Sequence, residues 1–257
     1  MSKPTAAESY VRSVIKAFLL LEQFTDNKQE KGIHDLSIAT GLPVSTVQRL
    51  VNTLNFKGYL IQNPQNSKYR LGYALFNLSR RLSQGLSWLD EASGYMENLV
   101  SKYQETVNLA VLEEGKVMYL NKVESPHILR PSFQVGTKYP SHCTGLGKCL
   151  LAHMNPEMLN QFLVEPFLPY TKKTITDLDS LKSELRKIRE QGFSIDDEEF
   201  QEGLRCVAVP IKNYSMGGTV VAAISVTAPT GRVSLDKIDE IKRDLVSVAN
   251  QISKLTL

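Results

Sequence analysis

The chain has 257 residues, 42% of them hydrophobic, enough for two domains each with its own core. Its net charge of +3 comes from 30 basic and 27 acidic side chains, and no apolar run reaches the ~18 residues of a membrane-spanning helix. Three cysteines, Cys143, Cys149 and Cys206, are an odd count without framework spacing, and the N-terminus lacks the apolar stretch of a signal peptide, so a reduced, cytoplasmic protein is expected.

Residues 8–24 read as a helix with Val11, Val14, Phe18 and Leu21 on one face, widened by Leu19, Leu20 and Phe24. That face suits burial in a three-helix core. A polar loop over 25–32 follows. From 33 to 59 the pattern is two short helices around a tight turn. Ile33, Leu36 and Ala39 share one face of the first helix. Gly41 stands where a left-handed residue commonly ends a helix, and Pro43 fits the opening turn of the next. In that second helix Val47, Leu50, Val51 and Leu54 form one buried stripe at i, i+3, i+4 and i+7. The opposite face carries Ser45, Thr46, Gln48, Arg49, Asn52 and Thr53, which is how a helix-turn-helix presents a recognition helix.

Helical hairpins of this kind also occur in proteins that never touch DNA, so two flanking features matter. Residues 60–71 form a short apolar strand, a polar turn and a return strand bearing Lys68 and Arg70, a β-hairpin wing. Residues 1–84 hold eleven basic against five acidic side chains, net +6, while the remainder holds nineteen against twenty-two, net −3. The positive excess thus sits on the segment that would meet a polyphosphate.

Between Gly72 and Leu89 the leucines 75, 78, 82, 86 and 89 make a seam at nearly coiled-coil spacing, with Gly85 as a break or hinge. A winged domain of residues 1–71 has little left to cover such a seam. Residues 72–89 are therefore expected to be a linker helix at a dimer interface, and residues 90–257 a second domain. There, 93–102 continues helically, 106–112 and 116–123 are strands joined at Glu113-Glu114-Gly115, and 129–135 reads as a third strand. Residues 149–153 and 177–191 are helical, the latter burying Leu178, Leu181, Leu185 and Ile188. Residues 205–211 and 219–227 are strands around a turn at 213–218. A final helix starts at Ser234 as N-cap and buries Leu235, Ile238, Ile241, Leu245, Val248 and Ile252. Hairpin-paired strands with flanking helices give an α+β sensor-like domain and not a Rossmann sheet.

Several sharper readings fail on residue identity. A phosphate-binding loop at Gly145-Leu146-Gly147-Lys148 would need Gly at 142 and Ser or Thr at 149, where the chain has His142 and Cys149. His142, Cys143, Cys149 and His153 lack the spacing of a zinc site, so no metal or other cofactor is expected. Cys206 lies inside an apolar strand with no His–Asp pair placed to activate it, and no catalytic residue is assigned. The acidic run 196–199 reads as a solvated turn with at least one carboxylate turned inward. Two classes remain: a ligand-controlled DNA-binding regulator, and a sensor or thiol enzyme whose helix-turn-helix packs on a protein partner. Lys68, Arg70 and the +6 charge favour the first.

The chain resembles transcriptional regulators of the IclR family over almost its whole length. The resemblance rests on Gly41-Leu42-Pro43 with Ser45-Thr46-Val47 and Arg49–Leu54, and on the wing Lys68–Gly72. In the second domain it rests on His142–Lys148, on Gly192–Glu199 with Glu202–Ala208, and on Ala223–Thr227; Lys212-Asn213 departs from the pattern at a turn. It implies a multidomain α plus α+β chain: an N-terminal winged helix-turn-helix, a linker helix, and a C-terminal GAF-like effector domain with an antiparallel sheet. It further implies a non-enzymatic regulator, mostly a repressor, that binds a palindromic double-stranded operator as a homodimer or dimer of dimers. The effector implied is a small organic, sugar or aromatic acid, carboxylate-bearing or hydroxylated. DNA contacts fall on Ser45, Thr46, Gln48, Arg49, Asn52, Lys68 and Arg70, and by correspondence the effector pocket falls on Gly145, Leu146, Asp196, Cys206, Ser225 and Thr227. These types suit that role. Gly145-Leu146-Gly147 at a helix start would offer N–H groups to a carboxylate, and Ser225 and Thr227, two apart on a strand, point to one face.

Overall fold

The structure, a computed structural model, describes residues 10–25, 30–84 and 88–256, with residues 25, 82–84 and 235 described by backbone alone. The chain divides into two compact units, Met1–Leu86 and Ser87–Leu257. The first contains α1 (Arg12–Leu21) with a 3₁₀ turn (Glu22–Thr25), α2 (Ile33–Thr40), α3 (Val44–Phe56), β1 (Leu60–Gln62), β2 (Tyr69–Leu71) and α4 (Tyr73–Gln84). Gly41 ends α2 at φ 68°, a conformation cheap only without a Cβ. The chain then re-enters helix through Pro43. Val47, Val51 and Leu54 are buried as the stripe requires, and they pack with Leu20, Leu36, Leu60 and Tyr69. β1 and β2 pair antiparallel, Leu60 opposite Leu71, and Lys31 bridges to Tyr69 beside them.

Two expectations for this unit change. The face of α1 read as buried is instead open: Val11, Val14 and Phe18 are exposed, and Leu20 is the buried residue, supported by Ala17, Leu21 and Phe24. The inward face is Ala17, Leu20, Leu21 and Phe24, at i, i+3, i+4 and i+7, so the helix is rotated relative to the expected one. Ala39 is exposed, leaving Leu36 and the half-buried Ile33 as the inner edge of α2. Of the leucine seam, Leu75 is half-buried and Leu78 is exposed, while the Leu82 side chain, Gly85 and Leu86 lie outside the described residues. Leu89 belongs to the next helix and packs into the core of the second unit.

The second unit runs α5 (Trp88–Tyr103), β3 (Thr106–Glu113), β4 (Lys116–Val123), β5 (Lys138–Pro140), α6 (Gly145–Leu151), α7 (Pro156–Phe162), α8 (Leu178–Gln191), β6 (Ser194–Asp197), β7 (Leu204–Asn213), β8 (Thr219–Pro229), a 3₁₀ turn (Leu235–Lys237) and α9 (Ile238–Leu255). The six strands form one sheet in the order β5-β4-β3-β8-β7-β6. Every pairing is antiparallel. Strand alternation then splits the sheet into two faces. One face, with Val107, Leu109, Val207, Val209, Ile224 and Val226, is covered by α5 and α9. The other, with Ala110, Val117, Tyr119, Ala208 and Ala223, is covered by Leu146, Cys149 and Leu150 of α6.

Residues 129–135 are not a strand. Pro131, itself buried, cannot donate to a ladder, and Phe133 is the residue of that run within the core cluster, stacked on Tyr119 at 4.9 Å between ring centres. The edge strand is β5, a few residues later. Helix α6 begins at Gly145 rather than 149, α7 and β6 are additional, and the last α-helix begins at Ile238, after the 3₁₀ turn, with no side-chain cap from Ser234.

Candidate functional site

On α3, Ser45, Gln48, Arg49 and Asn52 are exposed and Thr46 is half-buried. Gln48 Nε2 donates to Asn52 Oδ1 at 2.9 Å, pre-setting the two amides one turn apart. Thr46, Arg49 and Asn52 also border a cleft of about 970 Å³ within this unit, walled by Val14, Phe18 and Leu78. The wing turn is tied down by a carboxylate. Glu30 accepts from Asn63 and Asn66 at 2.9 and 2.8 Å, and the Asn66 and Asn63 bonds, in that order, hold its pKa below the usual range. Lys68 stays exposed at the turn, while the Arg70 guanidinium lies 5.8 Å from the Tyr73 ring centre.

In the second unit the six expected pocket residues come together on the sheet face beneath α6. Cys206 on β7 lies opposite Asp196 on one side and Thr227 on the other. The Thr227 hydroxyl donates to Cys206 Sγ at 3.2 Å and lies 3.5 Å from Ser225 Oγ. Ser225 and Thr227 are fully buried. The first turn of α6 sits directly on them: a Cβ at Gly145 would stand 2.8 Å from Cys206 Sγ, and one at Gly147 would stand 2.3 Å from the Ser141 carbonyl oxygen. Ser194 Oγ donates to the Gly145 carbonyl at 2.6 Å. Leu146 is buried within the same cluster as Ala208 and Ala223.

The three N–H groups expected at the start of α6 are reduced to two. Thr144, the N-cap, accepts from Gly147 N–H through its own Oγ1. No hydrogen bond among the described residues engages the N–H of Gly145 or Leu146. Asp196 is not free to turn. Its Oδ1 accepts from Glu199 N–H at 2.7 Å and Phe200 N–H at 3.3 Å, which fixes the loop after β6. Burial, only partly offset by those bonds, pushes its pKa from 3.8 to about 7. Burial also pushes the Cys206 thiol up to about 11, so it is a protonated packing group and not a nucleophile. His142 and His153 are lowered by burial, and each ring is engaged by a carbonyl, Leu168 and Cys149 respectively.

Three features escaped the sequence. Lys148 is fully buried and pairs with Glu199, with Glu184 at 3.8 Å. Its position in Gly-Leu-Gly-Lys drew attention only as a phosphate-loop look-alike. Asn108, fully buried on β3, donates through Nδ2 to Thr227 Oγ1 at 3.2 Å; its place between apolar residues in Val107–Leu109 was the available signal. Tyr119, Phe133, Tyr139, Phe200 and Tyr170 form a continuous aromatic cluster along the same face, from segments far apart in the chain.

A winged helix-turn-helix followed by an antiparallel-sheet unit with a buried polar patch under a short helix is the plan of a ligand-responsive transcriptional regulator. Residues 13–64 match the IclR helix-turn-helix domain and residues 83–254 match the bacterial transcriptional regulator IclR C-terminal domain. The HTH-type transcriptional regulator KdgR of Escherichia coli K12 is 35% identical over 245 residues, covering 95% of this chain and 92% of its own. The transcriptional repressor IclR of the same strain is 30% identical over 250 residues, covering 96% and 90%. Among solved structures, Thermotoga maritima IclR aligns with a TM-score of 0.75 at 27% identity, over 96% of this chain and 99% of that one. An IclR homolog of Microbacterium hydrocarbonoxydans complexed with 4-hydroxybenzoate aligns with a TM-score of 0.82 at 25% identity, over 94% and 99%. The chain belongs to the IclR family and is a DNA-binding transcriptional regulator with a small-molecule-binding C-terminal unit.

The raised Asp196 pKa has a definite sign. Between about pH 4 and 7 the folded protein holds a proton there that the unfolded chain has lost, so this group's contribution to stability falls as pH rises through that window. Asp196→Asn keeps the two backbone hydrogen bonds and removes the charge. Its stability relative to wild type, followed by thermal melts, is expected to rise from pH 4 to pH 8 by up to ~4 kcal/mol. A difference that is flat with pH would mean that Asp196 stays ionised throughout.

Proposed function

We propose that this chain is a cytoplasmic, non-enzymatic repressor that binds a palindromic operator as a dimer or dimer of dimers, and that a small carboxylate-bearing or hydroxylated metabolite sets its operator affinity. Residues 1–71 act as the DNA-binding domain, 72–89 as the linker and 90–257 as the effector-binding and oligomerisation domain. The observation that carries the effector assignment is the meeting of Gly145, Leu146, Asp196, Cys206, Ser225 and Thr227 on one buried face. Few polar groups among apolar walls suit a small oxygen-rich ligand, and a family neighbour solved with 4-hydroxybenzoate supports an acid of that size. The protonated state of Cys206 speaks against a thiol enzyme.

For DNA, Ser45, Thr46, Gln48, Arg49 and Asn52 read bases, and Lys68 and Arg70 meet the backbone. Lys68, exposed and unpinned by an aromatic ring, is the better probe of phosphate contact. On an operator selected from random duplexes, Arg49→Ala should cost roughly 1–3 kcal/mol and relax preference at particular base pairs. Lys68→Ala should weaken all sequences alike and reduce the salt slope by about one. Fluorescence anisotropy would measure both, and an Arg49→Ala variant with unchanged affinity and selectivity would remove α3 from the major groove.

Outside the oligomerisation domain, a further contact between copies is the exposed apolar wall formed by Val14 (50% exposed), Phe18 (60%) and Leu78 (51%), which a second copy would cover. Sedimentation should show a dimer or larger for wild type and a smaller species for Leu78→Glu at the same concentration. A wild-type monomer would contradict it.

A further inference from the structure

Asn108 is fully buried on β3, directly across the ladder from Ser225 and on the face that α6 covers. Its Nδ2 donates to Thr227 Oγ1, and the single Thr227 hydroxyl proton goes on to Cys206 Sγ. That relay orients the amide. In this arrangement Asn108 Oδ1 is a buried acceptor with no hydrogen-bond partner among the described residues.

Among the described residues no donor reaches this oxygen, and the two lysines on the neighbouring elements are engaged elsewhere. Lys122, in register with Asn108 on β4, places its Nζ 2.6 Å from the Phe133 carbonyl oxygen and 2.8 Å from Glu124. Lys148 is held by Glu199 and Glu184. Buried acceptors are rarely left unpaired without a reason, because each forfeits its hydration. On the assignment of this face as the effector site, we infer that Asn108 Oδ1 is kept as an acceptor for an effector hydroxyl, so that the ligand carries at least one hydroxyl besides any acid group. The acceptor is sealed from solvent, so a hydroxyl reaches it only when the side chains over it part. Occupancy is thereby tied to the seat of α6 on the sheet.

The test uses Asn108→Leu, with the same side-chain branching and no polar atoms, beside Ser225→Ala as an independent report on the site. Thermal melts would be run on the full chain alone and with two matched pairs, lactate with propionate and D-gluconate with hexanoate. Only the hydroxylated member of a pair should raise the melting temperature of wild type. Asn108→Leu, alone, should melt close to wild type, because loss of the orphaned acceptor offsets loss of the neutral bond to Thr227, yet its ligand midpoint should rise several-fold. Ser225→Ala should weaken the response as well. The inference fails if Asn108→Leu alone melts several degrees lower, which would make Asn108 part of the scaffold. It also fails if the deoxy acids act as well as their partners, or if neither pair shifts wild type. If Ser225→Ala weakens the response and Asn108→Leu does not, the site stands and Asn108 is not its contact. If neither variant weakens a response that wild type shows, the effector lies elsewhere.

Discussion

The second unit depends on how closely the first turn of α6 lies against the sheet. Two glycines permit that approach. A side chain at Gly147 would meet the Ser141 backbone and the Thr144 hydroxyl, and one at Gly145 would meet Cys206. Because interiors do not yield by an ångström without cost, a side chain at Gly145 would lift the helix off Cys206, and one at Gly147 would break the tight lead-in that seats it. The close seat has a consequence for solvation. Hydroxyls, a thiol, an amide and a carboxyl that would otherwise be hydrated are enclosed together, and they must satisfy one another or wait for a ligand. The Asn108–Thr227–Cys206 relay does the first. The elevated Asp196 pKa records the cost of enclosing a carboxyl among them.

Charge is held away from this patch by the same helix. Lys148, one residue past Gly147, is buried and neutralised by Glu199, which follows directly on the loop whose N–H groups cap Asp196. Buried ion pairs are poor sources of net stability, but removing one partner strands the other. This pair therefore ties the loop after β6 to α6. Thr171 and Thr174 add hydroxyl bonds to the Glu198 and Glu199 carbonyls, at 2.7 and 2.6 Å. Helix, loop and strand are thus joined at the rim of the patch, so a ligand that parts them acts on all three.

Much of this was legible in the residues. The α3 stripe, the Gly41 turn and the hairpin wing follow from period, backbone chemistry and turn composition, all of them local. The strands at 116–123 and 219–227 follow from β-branched runs between turns. What failed depended on tertiary partners. Val14 and Phe18 are as apolar as any core residue, and only the packing of the Leu20 face into the core of the first unit turns them outward. The run 129–135 looks extended, but Pro131 denies it a ladder. In the site, the expected residues do converge, yet Asn108 and Lys148 were passed over. A polar residue within a strand pattern normally reads as an outward position, and only the sheet order, with β3 between β4 and β8, places Asn108 at the centre of the buried face.

Control of DNA binding by the buried patch implies a coupling between two sites that is reciprocal by thermodynamic necessity. The direct measurement is calorimetric titration of an effector found by thermal screening into the protein alone and into its complex with operator DNA, beside operator titrations with and without effector. The ligand affinity should change on adding DNA by the same factor as the DNA affinity changes on adding ligand, a tenfold factor corresponding to about 1.4 kcal/mol. The Ser225→Ala variant should move the ligand affinities and leave effector-free DNA binding as in wild type. Identical ligand affinity in the presence and absence of operator would contradict the coupling and leave the patch without a role in regulation.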